Sequence, residues 1–251
     1  MSTKIVVGFS GGVTSAWCAG WALRTFPRED VILLFHDTKG EHPDTYRFLH
    51  EMAAALGHPI TERSDGRTVT EVFEDEGFLG NNQNAMCSRI LKLEQADKYI
   101  AELKAQGHEV VKVLGFSKGE TERIQRMTAR AVRDGYAVRY PLVELEVTKQ
   151  QCVDWCQQTM KVCPSEMYLD FEHANCIGCV KGGMAYWMMV RSKFPEVFVH
   201  FARLEREYGH NILRGGGEGR KHYYLDELPA RTKRRVGHRE QITVGPCECG
   251  D

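Results

Sequence analysis

Two short, continuous apolar runs constrain this chain more than any other feature: Ile5-Val6-Val7-Gly8-Phe9 and Val31-Ile32-Leu33-Leu34-Phe35, both rich in branched residues. Unbroken hydrophobicity over so few residues marks a strand covered on both faces, as in a parallel sheet. A third run extends from Val110 to Phe116. Between the runs lie helical patterns. Val13, Trp17 and Trp21 recur every four residues, and Tyr46, Leu49, Ala53 and Leu56 hold one face of a second helix. Strand, helix, strand, helix reads as an α/β fold.

Further along, Ile90, Leu93, Ile100 and Leu103 predict a long helix that stops at Gly107. Thr148 with Gln151 is a capping-box signal for a helix through Met160, and Val197, Phe201, Leu204 and Tyr208 mark another after Pro195. From Arg214 onward the composition shifts to Gly215-Gly216-Gly217 and then to Arg231-Thr232-Lys233-Arg234-Arg235. We therefore expect an α/β core over 1–145, a helical appendage over 146–213 and a basic tail over 214–251.

The 251 residues carry 33 Lys plus Arg against 34 Asp plus Glu, a formal charge of −1. Such a balance lacks the whole-molecule basic signature of a dedicated nucleic-acid binder. It leaves the tail as a local surface for a nucleic-acid acceptor, a lid over a small nucleotide's phosphates, or a solvated segment. Ile5 to Leu23 is uncharged, but Ser10-Gly11-Gly12 breaks it into strand, turn and helix, so neither a signal peptide nor a membrane span is expected. Nine cysteines, an odd number with one C-x-x-C pair, point to a reducing compartment, and we expect a cytoplasmic protein.

The sharpest chemical signal is Ser10-Gly11-Gly12-Val13-Thr14-Ser15, at the junction of the first strand and first helix. Two glycines permit a tight turn and close approach to a ligand. The hydroxyls of Ser10, Thr14 and Ser15, with the free amides of the helix start, suit phosphate oxygens. Neither G-x-x-x-x-G-K-S/T nor G-x-G-x-x-G occurs here.

This loop resembles that of the PP-loop ATP pyrophosphatase superfamily, matching its S-G-G-x-x-S at Ser10, Gly11, Gly12 and Ser15, with Thr14 where members usually carry Asp. Asp37-Thr38-Lys39-Gly40-Glu41-His42-Pro43-Asp44-Thr45-Tyr46 is similar to the D-T-G-x-x-F-P-E-T-Y segment of the phosphoadenosine phosphosulfate (PAPS) reductase-like branch. Gly115-Phe116-Ser117-Lys118-Gly119-Glu120-Thr121 is similar to its G-x-R-x-x-E-S, with Ser117 in place of Arg, and Tyr140-Pro141-Leu142 to its Y-P-L. The resemblance implies a parallel-sheet, adenine-nucleotide α-hydrolase-like core. It also implies nucleotide contacts at Ser10, Gly11, Gly12, Thr14, Ser15, Asp37, Thr38, Gly115 and Glu120, with a catalytic role for Ser15. Arg89, Lys92, Lys118 and Arg123 are further candidates for phosphate contact.

Cys176-Ile177-Gly178-Cys179 has the turn spacing of a metal, cluster or redox site. Cys87, in Met86-Cys87-Ser88-Arg89, occupies the position of the second cysteine in the C-C-x-x-R-K segment of the iron–sulfur reductases in this branch. The resemblance implies a 4Fe-4S cluster on Cys87, Cys176 and Cys179, as in iron–sulfur PP-loop thiolation enzymes. A zinc site closed by Cys163 or His173, or three buried thiols, are the alternatives. Cys18, Cys152 and Cys156 sit in helical patterns and are expected in the core. Glu248-Cys249-Gly250 is similar to the E-C-G-x-H that carries the nucleophile of sulfonucleotide reductases, which implies Cys249 as a catalytic thiol; a ligand, a disulfide or an inert tail are its other readings.

Three functions follow as expectations. The first is cleavage of Mg-bound ATP to AMP and pyrophosphate, adenylating a substrate for iron–sulfur-assisted transfer from a sulfur donor. The second is thiol-dependent reduction of PAPS or adenylyl sulfate to sulfite. The third is a non-catalytic nucleotide sensor.

Overall fold

A computed structural model describes residues 2–214, 223–229 and 242–245. The glycine run, the arginine-rich run and the terminal Cys247 and Cys249 lie outside the described residues. Five parallel strands, β1 (Thr3–Gly8), β2 (Val31–Asp37), β3 (Ile60–Ser64), β4 (Glu109–Val113) and β5 (Ala137–Arg139), form one sheet in the order β3-β2-β1-β4-β5. The expected apolar runs form its centre. The third run is strand only as far as Val113; Leu114 to Phe116 belong to the loop that follows.

Eleven helices are described: α1 (Val13–Thr25), α2 (Pro43–Leu56), α3 (Val69–Glu76), α4 (Met86–Ser88), α5 (Gln95–Ala105), α6 (Thr121–Asp134), α7 (Pro141–Glu144), α8 (Lys149–Asp154), α9 (Met167–Asp170), α10 (Met184–Lys193) and α11 (Pro195–Tyr208). On one sheet face, Ile5, Val7, Leu33 and Phe35 pack against α1, α2 and α8. On the other, Val6, Leu34 and Val110 meet Ile100 and Leu103 of α5 and Ala131 of α6. The α1 surface expected to be apolar at Trp17 and Trp21 is only half-buried; Ala16, Ala19 and Ala22 face the core, allowing close packing. The long helix ending near Gly107 is present, but a π-helical turn over Arg89–Glu94 interrupts it. Thr148 and Gln151 form the expected capping box, with a second π-helical turn over Trp155–Thr159.

Beyond residue 145 the chain packs back onto the sheet. Cys152, Val153 and Cys156 are buried in the same core as Val7 and Ala19, and burial raises the Cys18 and Cys156 thiols far above their ordinary range. A separate cluster around Trp187 joins Phe73, Leu79 and Leu91 to α10, α11, Leu225 and Leu228. Spatial packing thus regroups residues 72–91 with the C-terminal helices. Among the described residues, no helix is long and apolar enough to cross a membrane.

Glu205 of α11 fastens the segment that follows. It is fully buried, and its carboxylate accepts the amides of Ile212, at 2.6 Å, and Leu225. Burial pushes its pKa up to about 7, against the downward pull of the two amides. Glu205→Ala should lower stability by about 1–3 kcal/mol for each amide it leaves unpaired, as read by urea unfolding. The folded-state pKa lies above that of an unfolded glutamate, so the folded chain binds the proton more tightly. That contribution is complete below the unfolded value and lost as pH rises through about 7. Urea midpoints should therefore fall from pH 5 to pH 8, and Glu205→Gln should flatten the slope.

Candidate functional site

The strand order places the loops after β1, β2 and β4 along one edge of the sheet, with β1 between the other two. In open α/β sheets this carboxyl edge is where ligands bind. The β1 loop turns at Gly11, whose φ of 74° suits glycine and where a side-chain carbon would lie 2.6 Å from Thr45 Cγ2. Gly12 caps α1 in extended conformation, and the first turn of α1 has no acidic residue. Ser15 is buried: its hydroxyl donates to Gly12 O at 2.8 Å and accepts from Ser10 N at 3.2 Å. Ser15 therefore braces the loop from inside, while Ser10 is exposed and Thr14 half-buried. Gly115 lies so close to α1 that a side-chain carbon there would meet the Thr14 carbonyl at 2.9 Å.

In the β2 loop, Asp37 Oδ1 accepts from Lys39 N at 2.8 Å and from the Tyr46 hydroxyl at 2.6 Å, so the carboxylate shapes the turn. Lys39 occupies the glycine position of the resembled segment with a left-handed φ of 55°. In the β4 loop, Glu120 accepts from Ser117 N at 3.0 Å and pairs with Arg123, whose guanidinium stacks over Phe116. Lys118 is exposed and pairs with Glu146 at 3.3 Å; Arg89 pairs with Glu94 at 2.5 Å. Of the four candidate phosphate cations, Lys92 stands apart.

Lys92 reaches Glu41, a carboxylate almost wholly withdrawn from water, at 2.9 Å. Glu41 Oε1 also accepts from Thr38 Oγ1 at 3.2 Å and from Cys176 Sγ at 3.3 Å, and Thr38 Oγ1 lies 3.2 Å from the same sulfur. Burial alone would lower the Lys92 ammonium, but Cys176 and Glu41 outweigh it and raise it. Burial pushes the Cys176 thiol up to about 12 against the pull of Lys92, and the Cys87 thiol up to about 11, with Cys179 adding to the rise. The C-x-x-C turn docks on the β2 loop through Ile177 N, which donates to Gly40 O at 2.8 Å. The Tyr186 hydroxyl closes that turn, accepting from Cys179 N at 2.9 Å and donating to Cys176 O at 2.8 Å. Gly178, at φ 78°, packs against Phe201, where any side chain would collide. Lys181 Nζ donates to Ser88 Oγ at 2.9 Å and so ties the turn to the helix carrying Cys87.

Glu41 Oε2 is buried and has no hydrogen-bond partner among the described residues. Cys87, Cys176 and Cys179 are soft sulfur donors of the kind that hold zinc or an iron–sulfur group. Among the described residues, however, no three or more His, Cys, Asp or Glu groups are placed together so as to hold a metal ion. Sequence reasoning missed Glu41, Tyr168, Lys181 and Tyr186. Glu41 and Lys181 lay beside recognised motifs, whereas neither tyrosine carried a local signal.

The model of the phosphoadenosine phosphosulfate reductase domain matches residues 4–164, and the chain belongs to that family. The chain is 27% identical over 207 residues to an uncharacterized nin region protein of Escherichia phage lambda, covering 70% of this chain and 65% of that protein. It is 23% identical over 240 residues to an uncharacterized protein of Methanocaldococcus jannaschii, covering 91% of this chain. The chain spans about half (53%) of the length of that second relative. A solved phosphoadenylyl-sulfate reductase from Candida auris, in a phosphate complex, is 22% identical with a TM-score of 0.34, over 47% of this chain and 55% of that one.

Gly115→Ala would force the β4 loop and α1 apart and should lower stability by about 1–3 kcal/mol in urea unfolding, because the added carbon meets backbone, which cannot swing aside. Gly119→Ala, with open space around it, should leave the urea midpoint unchanged.

Proposed function

We propose that the chain binds ATP with its phosphates on the loop from Ser10 to Ser15 and cleaves it to AMP and pyrophosphate while activating a substrate for sulfur transfer. A substrate oxygen attacks the α-phosphorus, the bond to the bridging oxygen breaks, and pyrophosphate leaves. A sulfur nucleophile then displaces AMP from the activated position, so that an oxygen of the substrate is exchanged for sulfur. Chemistry of this kind needs positioning and charge neutralisation more than a covalent catalyst.

The observation that carries this reading is the contact of Cys176 with the β2 loop. Its sulfur lies 3.2 Å from Thr38 Oγ1, at the strand end next to the phosphate loop. A thiol group and a nucleotide loop on one sheet edge suit a reaction that uses both. Cys87, Cys176 and Cys179 would hold the iron–sulfur group, which supplies soft sulfur and electron chemistry when bound. Lys92 keeps positive charge beside Glu41 and Cys176, and Thr38 orients the Cys176 sulfur. Asp37 is engaged through Oδ1, leaving Oδ2 as its free oxygen for magnesium among the contacts seen. A nucleic-acid acceptor gripped by the basic tail and a thiol donor complete the proposal. The rival reduction of PAPS rests on Cys249, outside the described residues.

Anaerobically purified protein given ATP, PAPS and a dithiol should yield AMP and pyrophosphate, water attacking the α-phosphorus in place of the absent acceptor oxygen. Ser10→Ala should abolish both, whereas Cys176→Ser should keep ATP cleavage and lose iron and sulfide on reconstitution. Adenosine 3′,5′-bisphosphate with sulfite as the products would replace this reading with the reductase, and tight nucleotide binding without turnover would favour the sensor.

A further inference from the structure

Tyr168 of the short helix α9 lies far from the phosphate loop in sequence, yet its hydroxyl rests on it. The amide of Val13, the first residue of α1, donates to Tyr168 Oη at 3.2 Å, and a side-chain carbon on Gly12 would lie 3.2 Å from the same oxygen. That amide has no side-chain cap from its own helix. Tyr168 stands eight residues before Cys176 in the same segment of chain. An oxygen received by helix-start amides is what a phosphate presents to such a loop.

The segment is moored on both sides. Ser165 Oγ meets Thr45 Oγ1 at 3.1 Å, Glu166 N donates to Asp44 Oδ2 at 2.7 Å, and Lys149 Nζ lies 5.0 Å from the centre of the Tyr168 ring. Ser165 and Met167 are buried, while the neighbouring Leu169 is exposed. The tyrosine is therefore the inward-reaching part of a strap whose outer side meets solvent.

We propose that Tyr168 is part of the nucleotide site, its hydroxyl holding the place of a phosphate oxygen until nucleotide displaces it and thereby loosens the approach to Cys176. This rests on the assignment of the phosphate loop above. Arrival of phosphate at Val13 requires the hydroxyl to leave, because one amide hydrogen cannot serve both oxygens at full strength. The released strap runs directly into the C-x-x-C turn through Ala174 and Asn175. Nucleotide arrival and access to the thiols are then one event, a coupling between two parts of the crevice.

The test is calorimetric binding of Mg-ATP to the full chain and to Tyr168→Phe, with hydrogen exchange read on residues 165–175. Tyr168→Phe keeps the ring and removes only the competing hydroxyl. It should bind ATP roughly threefold to tenfold more tightly, the worth of one ordinary hydrogen bond. In the unsubstituted protein, ATP should speed exchange across 165–175; in Tyr168→Ala, exchange there should already be fast without ATP. Weaker binding by Tyr168→Phe would make the hydroxyl a direct phosphate contact, and unchanged binding would mean that it does not compete. Either overturns the proposal while leaving the loop assignment intact. If the unsubstituted protein binds no Mg-ATP, the loop assignment itself fails, and this inference with it.

Discussion

The central position of β1 in the sheet is the constraint on which the site depends. With β2 on one side and β4 on the other, the Ser-Gly-Gly turn that follows β1 is flanked by the loops carrying Thr38 and Gly115. Parallel pairing makes all three loops leave from the same edge. Glycine at 115 lets the β4 loop lie against the first turn of α1, and glycine at 11 lets the β1 loop pass Thr45. The crevice is therefore a product of topology and of two positions where any side chain would interfere.

The second determinant is polar and buried. Glu41 gathers Lys92, Thr38 and Cys176 around one oxygen, and such a carboxylate is tolerated away from water only because its partners are in place. Lys92 comes from the π-helical turn between α4 and α5, a departure from regular helix often found at functional sites. Removing the Lys92 charge would leave the buried Glu41 carboxylate beside a thiol without its cation. The same cluster fixes Cys176 against the β2 loop, while Tyr186 and Gly178 shape the turn that carries both cysteines.

Much of the fold was legible because it is local. The apolar runs became β1, β2 and β4, the capping box at Thr148 formed, and the helices at 43–56 and 195–208 began at their prolines. Loop residues were legible by kind but not by employment. The hydroxyl of Ser15 closes the Ser-Gly-Gly turn and Oδ1 of Asp37 shapes its own loop, employments that the motif spacing does not announce. What the sequence hides is distance along the chain. The Tyr168 contact with Val13 spans 155 residues and that of Lys92 with Glu41 spans 51, so no periodicity or spacing rule announces either. The packing of α8 back onto α1 is hidden for the same reason.

The central claim is that phosphate loop and thiols serve one ligand in one crevice. A crystal structure with a non-hydrolysable ATP analogue and magnesium tests it most directly. The account predicts phosphate density at the amides of Val13 and Thr14, Tyr168 displaced, and the α-phosphate facing the loop that carries Thr38 and Cys176. Nucleotide bound elsewhere, or at the loop with its α-phosphate turned away from Cys176, would contradict it.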